Sequence, residues 1–108
     1  MDGKTSMRYL QDYLREKDYN KCRIEEVSTY YYKLSEEMGE LAKAMMHDWQ
    51  RKPGADLKGT IDEELWDVMY YVLCLANCYG VDLEATIKEK EDYNNKRYPF
   101  GGNFEEGR

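Results

Sequence analysis

At 108 residues and a formal charge of −6, the chain has room for one hydrophobic core but not for two. The acidic balance argues against a nucleic-acid polymer as partner, which would need a basic face, and no apolar run approaches the roughly 18 residues of a membrane span. Three cysteines, an odd number, fit no disulfide framework, and the opening MDGKTSMRYLQ lacks an apolar h-region, so no signal peptide and a cytoplasmic location are expected.

The first predicted helix runs from about Ser6 to Lys17, with Met7, Leu10, Tyr13 and Leu14 on one face. DYNKCRI connects it to a second helix that starts near Glu25 or Ser28 and continues to about Asp48. There Val27, Tyr31, Leu34, Met38, Leu41 and Met45 alternate three and four apart, an a/d seam expected at a helix–helix contact. RKPGADLKGT is a loop marked by Pro53, Gly54 and Gly59. Thr60 opens the third helix, and Glu63 three residues on completes a capping box. Ile61, Leu65, Val68, Met69, Val72, Leu73, Ala76 and Tyr79 form its predicted buried face, and Gly80 suits the left-handed position that ends it. Asp82 caps a fourth helix that runs to about Tyr98 and stops at Pro99. Residues 1–99 read as a single domain and FGGNFEEGR, residues 100–108, as a loose tail.

Tyr30–Lys33 and Met69–Leu75 have strand-like composition, but both lie inside longer helical periods. The expected fold is therefore all-α, a four-helix, bundle-like arrangement with antiparallel neighbours joined by short connections. Such a thin layer leaves apolar surface over. The 11 tyrosines and 6 methionines suggest that this surface is buried in an oligomer, a homodimer or homotetramer.

Two acidic pairs stand out: Glu37-x-x-Glu40 in the second helix and Glu64-x-x-Asp67 in the third. Residues three apart on a helix share a face, so each pair sets two carboxylates side by side next to an apolar stripe. Four carboxylates near a core repel one another and are costly to desolvate, and a divalent cation with oxygen ligands is the simplest compensation. Solvated faces of a Glu-rich bundle are the plainer alternative. Tyr71 lies four residues beyond Asp67 and shares the acidic face.

LSEEMGELAKA, DEELWDVMYYVLCLA and KEKEDYNNKRYP occur in that order between about Leu34 and Pro99, and together they resemble the MazG-like nucleoside triphosphate pyrophosphohydrolases. The resemblance implies an all-α, MazG-type fold and a Mg²⁺-dependent hydrolase, with Mn²⁺ as a possible substitute. Its substrate would be a (deoxy)nucleoside triphosphate, cleaved to the monophosphate and pyrophosphate. It implies that Glu37, Glu40, Glu64 and Asp67 hold the metal, with Glu37 or Glu40 as general base, and that Lys90, Asn94 and Arg97 meet the phosphates. Without the resemblance, those last three would read as an ordinary cationic helix end. A phosphoribosyl-ATP pyrophosphohydrolase-like enzyme and a non-catalytic helical interaction module are the alternatives.

The remaining chemistry-bearing residues have plainer readings. His47 sits near the end of the second helix, where a cation favours the dipole. Neither acidic motif has a histidine three residues on, which disfavours a di-iron site. Cys74 and Cys78 share a face but complete no zinc pattern, so core packing is expected of them. Trp49, next to the loop, is the better candidate for stacking on a base, and Trp66 for filling a helix or subunit contact. Arg51, Lys52 and Lys58 are ordinary exposed loop cations.

Overall fold

The protein is described here by a computed structural model covering residues 5–97. Four helices occur in order: α1 Met7–Lys17, α2 Val27–Met46, α3 Ile61–Cys78 and α4 Leu83–Arg97, with a 3₁₀ turn at Ile24–Glu26 leading into α2. No strand occurs among the described residues, so both strand-like stretches resolve as helix. The expected end of α4 at Tyr98 and Pro99, and the tail beyond, lie outside the described residues. No described helix is long and apolar enough to cross a membrane.

Local chemistry sets the boundaries. Ser6 caps α1 by accepting from the Tyr9 amide. Thr60 accepts from the Glu63 amide as expected, but the Glu63 carboxylate reaches one residue further back, to the Gly59 amide, while the Thr60 amide donates to the Leu57 carbonyl, so the box is shifted by one residue. Gly80, at φ 66°, takes the left-handed position after α3, and Asp82 accepts from the Ala85 amide at the start of α4.

The long pair α2 and α3 forms the main contact, α1 packs on α3, and α4 packs on α1. Arg8 fastens α4 through Asp82 and Glu84, at 2.8 and 3.1 Å. Gln11 accepts from the Leu83 amide and donates to the Val81 carbonyl. The core is small, with Leu14, Cys22, Tyr30, Leu73 and Cys74 at its centre.

The seam expected on α2 is not what faces this core. Tyr30 and Ala44 are buried and Glu37 half-buried, all on one stripe seven residues apart, whereas Tyr31, Met38 and Met45 are exposed. On α3 only Leu73 of the predicted buried face is buried, and Leu65, Met69 and Tyr79 are exposed. The inward face of α3 instead carries Glu64, Cys74 and Asn77. Apolar periodicity identifies a face that avoids water, and it does not say which surface covers that face.

Candidate metal and nucleotide site

The antiparallel packing of α2 on α3 brings mid-α2 against the first turns of α3. Glu37, Glu64 and Asp67 each offer a carboxylate oxygen, and these oxygens all lie within 4.8 Å of one another. Glu64 is only 8 % exposed, and its Oε2 is buried with no hydrogen-bond partner. A buried carboxylate oxygen without a donor costs free energy, and native structures rarely leave one without a reason.

The electrostatics agree with the geometry. Burial pushes the Glu64 carboxyl up from the ordinary carboxylate range, and Asp67 and a hydrogen bond with Glu37 push it the same way. The Asp67 carboxyl is also raised, first by burial and then by Glu63, with Lys58 opposing. The three acids hold more negative potential than the chain compensates. A ligand set made only of oxygens suits a hard divalent cation of the Mg²⁺ class.

Glu40 is exposed and stands outside the converging group. It lies one turn beyond Glu37, toward the loop that joins α2 to α3. Tyr71 is half-buried beneath the acids. Its hydroxyl is raised by burial and then by the charge of Glu37, with a smaller push from Asp67. Its ring meets those of Tyr30 and Tyr70, at 6.4 and 5.0 Å between centroids.

The other expected binding residues are not brought to the acids within one chain. Lys90 sits over the Tyr93 ring, Asn94 donates to Glu91 and Arg97 donates to the Tyr93 hydroxyl, so these contacts run along α4 itself. Trp49 lies at the loop end of the α2–α3 pair. His47, which ends α2 as its C-cap, stacks on Trp49 at 4.7 Å. The Trp49 carbonyl accepts from the Ile61 amide and ties the loop shut.

A buried node below the site has no counterpart in the sequence reading. Asp18 accepts from the Tyr30 and Tyr70 hydroxyls and from the Asn20 amide. The signal for Tyr30 was available in its seven-residue spacing from Glu37 and Ala44. Asp18, in an irregular connector, gave none.

The family model described as the MazG nucleotide pyrophosphohydrolase domain matches residues 25–100. Among solved structures, iMazG from Vibrio DAT 722 superposes with a TM-score of 0.78 at 41 % identity, over 87 % of this chain and 98 % of that one. Among curated proteins, dCTP pyrophosphatase 1 of Homo sapiens is 35 % identical over 68 residues, covering 58 % of this chain and 40 % of that protein. YpjD of Bacillus subtilis is 37 % identical over 54 residues, covering 48 % of this chain and 49 % of that protein. The matches thus span about half or less of these curated relatives.

Proposed function

This chain belongs to the MazG nucleotide pyrophosphohydrolase family, and from that premise we propose that it hydrolyses a (deoxy)nucleoside triphosphate between the α- and β-phosphates to the monophosphate and pyrophosphate. The observation that carries the reading is Glu64: a buried carboxylate with an oxygen lacking any donor, grouped with Glu37 and Asp67. That oxygen set fits Mg²⁺, and Glu37, Glu64 and Asp67 would hold it. When bound, the ion would neutralise phosphate charge and lower the pKa of a bound water.

The chain's own residues take the remaining roles. Glu40, outside the converging group, is our candidate to receive the attacking water's proton on a carboxylate oxygen. As the water oxygen bonds to phosphorus, the bridging P–O bond breaks and pyrophosphate leaves with its electron pair. Lys90, Asn94 and Arg97 would meet the outgoing phosphates, with Arg97 suited to a bidentate contact. Tyr71 would line the site below the acids. The half-exposed Trp49 would present its ring to the base.

The helix arrangement supports an assembly. Leu65, Met69 and Tyr79 expose 52 %, 37 % and 64 % of their surface on the outer face of α3. The radius of gyration is 16.2 Å, against about 13 Å for a compact domain of ~100 residues. We propose that a second copy covers that face and that α4 of the partner carries the phosphate-binding groups toward the acids.

The test is product analysis with labelled nucleoside triphosphate and Mg²⁺. Monophosphate and pyrophosphate should form in one step. Sequential release of orthophosphate through a diphosphate would refute the reading. A panel of bases and sugars would then set the substrate.

A further inference from the structure

Cys74 finds its partners in the connector between α1 and α2 rather than in its own helix. That connector turns inward at Lys21 and Cys22, successive non-glycine residues with φ of 56° and 54°. The turn carries the Cys22 thiol into the core, where it is buried with Cys74 of α3. Asp18, the C-cap residue of α1, closes the group. One carboxylate oxygen and two sulfurs, all on buried residues, lie within 4.8 Å of one another.

We propose that Asp18, Cys22 and Cys74 form a second metal site, distinct from the acidic cluster, for a thiophilic divalent ion of the zinc class. Two sulfurs disfavour Mg²⁺ and Ca²⁺, whereas a mixed sulfur–carboxylate set suits Zn²⁺ or Co²⁺. On binding, each thiol releases a proton to solvent and its sulfur donates a lone pair. No electron is transferred. Water entering with the ion takes the fourth tetrahedral position.

The surroundings already orient these ligands as outer groups orient metal ligands. The Tyr70 hydroxyl donates to Asp18 Oδ1 at 2.6 Å, and the Asn20 amide to Oδ2 at 3.0 Å. The Tyr30 hydroxyl also donates to Oδ2. A carboxylate has about four acceptor positions, so one remains for the ion. Asn77 Nδ2 donates to Cys22 Sγ from 3.5 Å. Packing alone does not call for an acid against two core thiols. Asp18 and Cys22 precede the residues that match the family model, whereas Cys74 lies within them.

Cobalt reads the site without reference to activity. The metal-free full chain, with Mg²⁺ in excess to fill the acidic cluster, is titrated with Co²⁺. A thiolate-to-cobalt absorption band in the near ultraviolet should saturate at one ion per chain and be displaced by Zn²⁺. It should vanish in Cys22→Ser and in Cys74→Ser and persist in Cys78→Ser. Zn²⁺ should also raise the thermal midpoint of the wild-type chain. Cobalt held by oxygens alone at the acidic cluster gives no such band. Absence of the band in the wild-type chain overturns the proposal, whatever the variants do. So does a band that survives loss of both Cys22 and Cys74, or one that depends on Cys78.

Discussion

The inward face of α3 carries Glu64, Asp67, Tyr71 and Asn77 beside Leu73 and Cys74, while its outward face carries Leu65, Val68, Met69, Val72 and Tyr79. Neighbours in sequence make the contrast plain: Glu64 is 8 % exposed and Leu65 is 52 % exposed. For one isolated chain the Glu64–Leu65 pair departs from the usual sorting, in which apolar groups go in and charged groups stay out. On the proposed function, the inner face would take positive charge from an ion and the outer face apolar cover from a second copy. The two buried acids also differ in how they are satisfied: Asp18 accepts from three donors, whereas Glu64 has an oxygen that accepts from none.

The inner face is broken by Glu64→Gln. On the proposed function the variant should lose roughly 10²–10³-fold in turnover at saturating Mg²⁺, because Glu64 would then be a ligand whose ion contributes several kcal/mol of transition-state stabilisation. Its helicity should be unchanged by circular dichroism, and its metal-free form should melt higher than the wild type, since a repelling charge is gone. Glu40→Gln should also abolish most turnover, yet leave the metal-free melting point nearly unmoved, because Glu40 is exposed. Near wild-type rates in either variant would remove that residue from the site.

The outer face is broken by Met69→Asp or Leu65→Asp. Fully burying one such side chain contributes about 1.5–3 kcal/mol, and a two-fold interface uses it twice. Dissociation constants should therefore rise at least a hundredfold. Sedimentation should show the lighter species, with helicity retained. A wild-type chain that sediments as a monomer at all concentrations would leave the outer face without its proposed cover.

These faces explain how much was legible in the sequence. The order and ends of the helices were readable because caps and breakers act locally: Ser6, Thr60 with Glu63, Gly80 and Asp82 each work within one turn. Spacing placed Glu37 beside Glu40 and Glu64 beside Asp67, and only the resemblance joined all four at one metal; Glu37, Glu64 and Asp67 do converge, whereas Glu40 stands apart. The side on which Met38, Met45, Leu65 and Met69 lie was not, because a hydrophobic stripe looks the same whether it meets its own chain or another. Asp18 and Cys22 were hidden for a different reason. They sit in a connector whose path depends on left-handed residues that are not glycine, so no composition rule flags the turn.

Lys90→Ala and Arg97→Ala sharpen the link between the two faces. Each charge-assisted contact is typically worth about 1.5–3 kcal/mol, so binding of a non-hydrolysable triphosphate should weaken roughly tenfold to a hundredfold, with little change for the monophosphate. If α4 of a second copy supplies these groups, Met69→Asp should lower triphosphate affinity to the same degree, although Met69 itself meets no phosphate. Equal weakening toward both nucleotides would reduce α4 to a helix whose basic end complements its dipole.

The smallest effect lies in the pH dependence of the metal-free protein. Glu64 and Asp67 both have carboxyls raised by burial and by neighbouring acids. Between the unfolded and folded pKa of such a group, the native chain binds more protons than the unfolded chain, so stability falls as pH rises through that window. The loss should begin at about pH 4, the ordinary carboxylate value, and be complete once both groups ionise in the folded state. Asp82 and Glu84 act in the opposite sense. Arg8 holds both below the ordinary range, so their contribution is present above it and fades as pH falls. Both are exposed to solvent, so that contribution is weak. Denaturant melts in chelator should therefore show wild-type stability declining from acid toward neutral pH, a shallower decline in Glu64→Gln, and none with saturating Mg²⁺, which competes with the protons. If the wild type and Glu64→Gln show the same slope, the inner face holds no unfavourable charge and its contrast with the outer face loses its electrostatic half.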